Sequence, residues 1–159
     1  MHTNTKALVL AGGGAKGSYQ VGVFRGLREV GWRPGIVTGT SVGSLNGALL
    51  VMDRLEEAEQ LWLTLDVHGV LETPKSSKPE ELRAFLLKVL RSGGLNIDPL
   101  GGTIDEYLDE ERMRAAPTRY GLVMTEMNTL KSHQYTLEEI PRGRLKEYMM
   151  ASSACFPAL

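Results

Sequence analysis

Apolar positions in this 159-residue chain follow two alternating patterns. Short apolar runs stand at 6–11, 36–38 and 120–127, and the segment 131–137 alternates as an edge strand or the second arm of a hairpin would. Between these runs, apolar residues recur every three or four positions, which predicts helices at 18–30, 45–52, 53–65, 79–92 and 145–152. The alternation predicts an α/β domain with a mostly parallel sheet and helices on both faces.

The first predicted helix, at 18–30, carries its apolar residues on one side. Tyr19, Val23 and Val30, together with Leu27, form a stripe that we expect to face the core. Gly22 and Gly26 would leave a flat ridge where the helix approaches the sheet, or they are simply costly interior glycines. On the third helix, Asp53 is expected to cap the N-terminus, and Trp62 is expected to anchor the core rather than to bind a cofactor.

A serine stands between the second strand and the second helix, in the sequence Gly-Thr-Ser-Val-Gly at 39–43. This matches G-x-S-x-G, the nucleophile elbow, in which a strand delivers a serine to a sharp turn at the start of a helix. The elbow here is the turn at 39–43, with Ser41 at its centre. Gly39 and Gly43 are needed because a Cβ at either position would meet the neighbouring strand or helix. The helix would direct its positive end towards the Ser41 hydroxyl and favour an anion there. The alternative is an ordinary glycine–serine turn.

Three consecutive glycines, Gly12, Gly13 and Gly14, follow the first strand directly. Such a run can expose backbone N–H groups to an anion or a developing oxyanion, and Lys16 adds positive charge nearby. The loop also fits G-x-G-x-x-G, but a dinucleotide site needs an acidic residue where the second strand instead ends in the serine turn. A P-loop needs Gly-Lys-Ser/Thr in that order, whereas here the lysine precedes Gly17.

These motifs, in this order, resemble the opening of the patatin-like phospholipase family. The sequence Ala-Ser-Ser-Ala-Cys-Phe-Pro at 151–157 resembles a later segment of that family, so the resemblance spans 8–157. It implies that Ser41 is the nucleophile, that the loop of Gly12, Gly13 and Gly14 is the oxyanion hole, and that a serine–aspartate dyad without histidine hydrolyses lipid acyl esters. The resemblance implies no metal and no organic cofactor.

One family feature is missing. The family places the dyad aspartate in an Asp-Gly turn beyond the Ala-Ser-Ser-Ala segment, and this chain contains no Asp-Gly pair. We therefore expect a chain truncated before its base, inactive alone, with an unpaired sheet edge that promotes self-association. An internal alternative combines Ser41 with His133 and one of Asp98, Asp105 or Asp109, but an α/β-hydrolase has several strands before its elbow, and here there is one.

The amino-acid composition predicts the number of domains and excludes some classes of function. A net charge of −1, with 42% hydrophobic and 23% charged residues, predicts a single domain over 1–159 and gives no basic field for nucleic acid. A single cysteine excludes an internal disulfide, and the start lacks an apolar signal core, so the expected location is the cytoplasm, with at most peripheral membrane contact.

The helical insertion at 53–118 is expected to form a lid or an acyl pocket. The competing function is a non-catalytic domain that binds an acyl group, an anion or a partner chain.

Overall fold

The computed structural model describes residues 5–65, 78–92 and 96–154. The predicted loop around 73–77, the helix stop at 93–94 and residues 155–157 of the last motif lie outside this part of the chain. The described elements are β1 (Ala7–Leu10), a 3₁₀ turn (Gly14–Lys16), α1 (Gly17–Glu29), β2 (Ile36–Thr40), α2 (Val42–Val51), α3 (Leu55–Thr64), α4 (Pro79–Ser92), α5 (Asp98–Tyr107), α6 (Glu110–Ala115), β3 (Arg119–Thr125), β4 (Ser132–Thr136) and α7 (Leu145–Ser153).

The sheet has the strand order β1-β2-β3-β4. The first three strands are parallel, and β4 pairs antiparallel with β3 as its hairpin partner. Leu10 pairs with Gly39, so the connections after β1 and β2 leave the sheet side by side at its carboxyl edge. The predicted α/β class with a mostly parallel sheet is therefore confirmed.

The core lies on the sheet face that α2 covers. A Cβ at Gly47 of α2 would lie 3.0 Å from the Val37 side chain, 3.4 Å from that of Leu10 and 3.6 Å from that of Tyr120. The buried Tyr120 hydroxyl donates a hydrogen bond to the carbonyl of Ser44 at 2.9 Å. α7 lies beside α2 against β3 and buries its own apolar residues in the same core. Burial of these side chains is the main stabilising contribution to the domain.

The opposite face of the sheet is more open. The apolar run at 6–11 is typical of a strand buried on both faces, yet Val9 is 78% exposed while the neighbouring Leu10 is 6% exposed. The reason is that β1 is an edge strand of the described sheet, and successive side chains of a strand point to opposite faces. Only the Leu10 side of β1 faces the core.

The prediction for α1 is wrong about which stripe is buried. Val21 and Phe24 are buried, whereas Tyr19 and Val30 are 78% exposed. α1 packs against α2 and α3, and this packing buries the stripe that contains Val21 and Phe24. Arg25 and Arg28 of α1 form exposed ion pairs with Glu59 and Glu56 of α3.

The expected close approach at Gly22 and Gly26 is also absent. A Cβ at either position would find no heavy atom within 4 Å. The close approach occurs at Gly17 instead, where a Cβ would lie 2.5 Å from Val42 and 2.6 Å from Trp62.

The start of α3 differs from the prediction as well. Its N-cap is Arg54, and Asp53 occupies the preceding turn with φ +54°. The Arg54 guanidinium donates a hydrogen bond to the carbonyl of Tyr107 at 2.8 Å, which ties α3 to the end of α5. Residues 53–118 thus include α3, α4, α5 and α6. None of the helices in the described ranges has the length and apolar character needed to cross a bilayer.

Candidate active site

Ser41 occupies a strained turn between β2 and α2. Its backbone angles, φ +54° and ψ −128°, lie in a region that residues with a side chain rarely adopt. The turn is tight because a Cβ at Gly39 would lie 2.2 Å from the carbonyl oxygen of Gly43. A Cβ at Gly43 would lie 2.5 Å from the carbonyl oxygen of Leu10. Both glycines therefore allow backbone contacts that any other residue would prevent.

The glycine loop lies next to this serine. A Cβ at Gly12 would lie 3.2 Å from the Cβ of Ser41 and 3.9 Å from its Oγ. Gly13 and Gly14 have φ values of +156° and +54°. Among the hydrogen bonds found in the described part of the chain, none uses the N–H of Gly13 or Gly14. The stem of Lys16 packs over the loop, since a Cβ at Gly13 would lie 3.5 Å from the Lys16 Cβ.

Ser152 holds the turn from the opposite side. Its Oγ accepts a hydrogen bond from the N–H of Ser41 at 2.8 Å and donates one to the carbonyl of Val123 at 2.6 Å. One hydroxyl thus connects the elbow, the end of β3 and the end of α7. The sequence indicated the Ala-Ser-Ser-Ala segment only by resemblance and by its small residues, and it did not indicate this contact.

A buried amide links the glycine loop to the elbow helix. Asn46 of α2 is 2% exposed, and its Oδ1 accepts a hydrogen bond from Trp62 Nε1 at 2.9 Å. Its Nδ2 donates to the carbonyl of Gly17 and to Gln20 Oε1, both at 2.9 Å. Gln20 Nε2 in turn donates to the carbonyl of Ala11 at 2.8 Å. No local sequence pattern indicates this network; its one signal is a lone asparagine within the apolar helix α2.

An apolar cavity of about 550 Å³ opens beside Ser41. Its wall comes from α2, α3, α5 and α7, with Gly14 of the glycine loop also in the lining. Polar groups are few, and most of the lining is aliphatic or aromatic, including Leu45, Leu49, Leu61, Trp62, Ile104 and Met149. The helices of the 53–118 insertion therefore supply one side of a cavity that includes the serine.

Three of the four internal candidates for a catalytic base form contacts elsewhere, and the fourth, Asp98, stands in the first turn of α5. His133 lies on β4, with its Nε2 3.4 Å from the Glu126 carboxylate. Hydrogen bonds from the Thr129 hydroxyl and, with a smaller effect, from His133 lower the pKa of the Glu126 carboxyl. Asp105 pairs with Lys146, and Asp109 caps α6. Within 5–65, 78–92 and 96–154, no carboxylate or imidazole forms a hydrogen bond with the Ser41 hydroxyl. The same residues contain no cluster of three His, Cys, Asp or Glu side chains suited to a metal ion.

The fold and the site define an α/β protein with a serine at a strand-to-helix turn beside a glycine loop. Residues 8–159 match the patatin-like phospholipase family. The chain therefore belongs to the patatin-like phospholipase family, as its sequence motifs predict.

Individual relatives match shorter stretches. Patatin-like phospholipase domain-containing protein 7 of Rattus norvegicus is 51% identical over 51 residues, which are 32% of this chain and 4% of that protein. Lysophospholipase nte1 of Aspergillus terreus is 54% identical over 46 residues, which are 29% of this chain and 3% of that protein. The matched stretch is thus a small fraction of the length of these curated relatives.

Two solved structures share the fold. VipD from Legionella pneumophila superposes with a TM-score of 0.55 at 18% identity, covering 90% of this chain and 41% of that chain. The type III effector protein ExoU gives a TM-score of 0.55 at 19% identity, covering 94% of this chain and 39% of that chain. At this level of identity the similarity concerns the fold alone.

Proposed function

We propose that this chain carries the nucleophile and the acyl-binding part of a serine hydrolase that acts on lipid esters. The observation that carries the proposal is the apolar cavity of about 550 Å³ that opens beside Ser41. A strained serine next to a glycine loop suits nucleophilic attack, and an apolar cavity suits a hydrocarbon chain. The names of the relatives, a phospholipase domain protein and a lysophospholipase, support a lipid substrate.

In the proposed reaction, Ser41 Oγ attacks the ester carbonyl carbon and loses its proton to a base. The carbonyl oxygen becomes an oxyanion, and the N–H groups of Gly13 and Gly14 hold it. The carbon–oxygen bond to the alcohol then breaks, and the base returns the proton to the leaving oxygen. Water, activated by the same base, attacks the acyl-serine, releases the fatty acid and restores the serine.

The position of the glycine loop supports its proposed role. Gly12 lies against Ser41, and the N–H groups of Gly13 and Gly14 have no partner among the hydrogen bonds of the described residues. The N-terminus of α2 begins directly after Ser41 and adds favourable potential for negative charge. Lys16 contributes a further positive charge beside the loop.

We propose that the base is not among these 159 residues, since the sequence has no Asp-Gly pair and no described carboxylate contacts the Ser41 hydroxyl. The 159-residue chain alone should then hydrolyse a para-nitrophenyl ester of a long-chain acid close to the background rate, because removal of a catalytic partner typically lowers the rate by about a thousandfold or more. The measurement compares the chain with Ser41→Ala. Strong turnover that depends on Ser41 would refute the missing base.

A long-chain alkyl fluorophosphonate tests the nucleophile itself. We expect slow covalent labelling at Ser41, located by peptide mass spectrometry, and none in Ser41→Ala. Ser18→Ala is the matched control, because Ser18 lines the same cavity but its hydroxyl donates to the carbonyl of Ala15 at 3.0 Å. Labelling that persists in Ser41→Ala would end the assignment.

The second candidate is acyl binding without turnover, and the same cavity favours it. Trp62 lines the cavity, so a bound fatty acid should change its fluorescence in a Trp32→Phe variant, where Trp62 is the remaining tryptophan. Saturable binding of a long-chain fatty acid without any labelling of Ser41 would select this candidate. Absence of binding would count against both.

We also propose peripheral contact with lipid through α4. Leu82, Leu86 and Leu87 of this helix are 41%, 56% and 45% exposed. Leu86→Glu should reduce co-sedimentation with phosphatidylcholine vesicles, because a charged side chain opposes insertion into the interface. The control is Leu130→Glu, which changes an exposed leucine in the turn between β3 and β4. Equal loss in both variants, or no loss in either, would refute this contact.

A further inference from the structure

The amide of Asn46 has only one orientation that satisfies its neighbours. The Trp62 indole N–H can only donate, so it must face Oδ1, and the Gly17 carbonyl can only accept, so it must face Nδ2. The second Nδ2 hydrogen goes to Gln20 Oε1. A flipped amide would set donor against donor and acceptor against acceptor, so the network itself fixes the side chain.

The orientation of Asn46 determines that of Gln20. Because Gln20 Oε1 accepts from Asn46, Nε2 is left to face the carbonyl of Ala11, to which it donates at 2.8 Å. In a trans peptide the C=O and the following N–H point in opposite directions. The Gln20 contact therefore sets the direction of the N–H of Gly12, the glycine that lies against Ser41.

The glycine loop needs such an external anchor. Glycines have no side chains with which to hold a loop, and they lose the most conformational freedom on ordering. Displacement of a donor by about 1 Å can cost roughly a hundredfold in rate. Asn46 provides this anchor through Gln20, and it lies on α2, the helix that begins directly after Ser41. The glycine loop is therefore held at a fixed position relative to the serine.

We propose that Asn46 and Gln20 are positioning residues that orient the glycine loop relative to Ser41. The proposal rests on the proposed function of Ser41 and deepens it. Asn46 sets Gln20, and Gln20 sets the peptide between Ala11 and Gly12. Neither side chain has to touch the reacting atoms.

The test uses Gln20→Met, which keeps the length of the side chain and removes the donor to Ala11. Gln60→Met is the matched control, because Gln60 is an exposed glutamine on α3. The first readout is the concentration dependence of labelling by a long-chain alkyl fluorophosphonate. We expect the maximal labelling rate to fall about ten- to a hundredfold, with the half-saturating concentration within about twofold of that of the unmodified chain.

The second readout does not need a reactive serine. In ¹⁵N–¹H spectra, Gln20→Met should shift and broaden the amide signals of Gly12, Gly13 and Gly14, while that of Gly39 stays in place. Asn46→Asp should change the same loop signals, because it removes both donors and keeps an acceptor for the Trp62 N–H.

The possible outcomes separate the two proposals. Unchanged loop signals in Gln20→Met would overturn the positioning role, as would an equal effect of Gln60→Met. A chain that is never labelled, but whose loop signals change as described, would contradict the proposed function and support the positioning role.

Discussion

Ser152 Oγ accepts the backbone N–H of Ser41 at 2.8 Å, although the two residues stand 111 positions apart. The same hydroxyl donates to the carbonyl of Val123, so it satisfies one donor and one acceptor at the carboxyl edge of the sheet. A backbone N–H at such a turn otherwise has no partner from regular secondary structure. The contact therefore holds the strained backbone of the elbow in place.

Ser152→Ala should lower the free energy of unfolding by about 1–3 kcal/mol, because it leaves the N–H of Ser41 and the carbonyl of Val123 unpaired. Urea unfolding followed by circular dichroism measures the change. The adjacent Ser153→Ala is the matched control: the Ser153 hydroxyl is buried without a partner among the described residues, so its removal should leave stability unchanged or raise it. Equal losses in the two variants would contradict the assigned contact.

The two kinds of glycine in this chain should respond oppositely to alanine. Gly39→Ala places a Cβ 2.2 Å from the carbonyl oxygen of Gly43, where only backbone movement can make room, and should destabilise the fold by more than about 3 kcal/mol. Gly22→Ala meets nothing within 4 Å and should stabilise α1 by about 0.5–1 kcal/mol. Thermal unfolding of both variants checks this. A destabilised Gly22→Ala would show that α1 contacts something on that face.

A feature could be predicted from the sequence when the residues that determine it stand close together along the chain. The elbow and the glycine loop were predicted correctly as turns because their glycines stand within a few residues of the strands that they follow. The rotation of α1 was predicted wrongly, since Tyr19 and Val21 belong to stripes of equal helical spacing, and the packing of α1 against α2 and α3 decides between them. Asn46 was missed because its partners stand 16, 26 and 29 positions away, where no local pattern reports them.

The ionised carboxylate of Glu110 is expected to make the stability of the fold depend on pH. Burial opposes its charge, but hydrogen bonds from Arg114 and from the N–H of Gly143 outweigh burial and lower the pKa of Glu110. Arg114 also donates to the carbonyls of Leu137 and Ile140, so the pair joins α6 to the segment before α7. Because the pKa is lower in the folded state, the ionised group stabilises the fold above the unfolded pKa, and this contribution is lost as the pH falls through the folded value.

Glu110→Gln should therefore cost about 1–2 kcal/mol at pH 7, and the difference from the unmodified chain should shrink as the pH falls below about 4. Urea unfolding at several pH values measures both effects. Glu111→Gln is the control, since its pair with Arg142 is mostly exposed and should contribute less than about 1 kcal/mol. If the loss of stability caused by Glu110→Gln grows as the pH falls, the lowered pKa assigned to Glu110 in the folded state is refuted.

The last prediction concerns the strain at Ser41. Its φ of +54° with ψ of −128° costs roughly 1–3 kcal/mol for a residue with a Cβ, and much less for glycine. Ser41→Gly releases this strain but adds flexibility to the unfolded chain, which takes back about 0.4–1 kcal/mol. We expect a net gain in stability of about 1 kcal/mol, measured by urea unfolding. Ser41→Ala keeps the Cβ and loses only the hydroxyl, so its stability should stay within about 0.5 kcal/mol of the unmodified chain. The difference in the free energy of unfolding between Ser41→Gly and Ser41→Ala therefore measures the cost of the backbone conformation at this position. If Ser41→Gly is no more stable than Ser41→Ala, the elbow carries no stored strain, and the serine is held there by its neighbours at no cost to the fold.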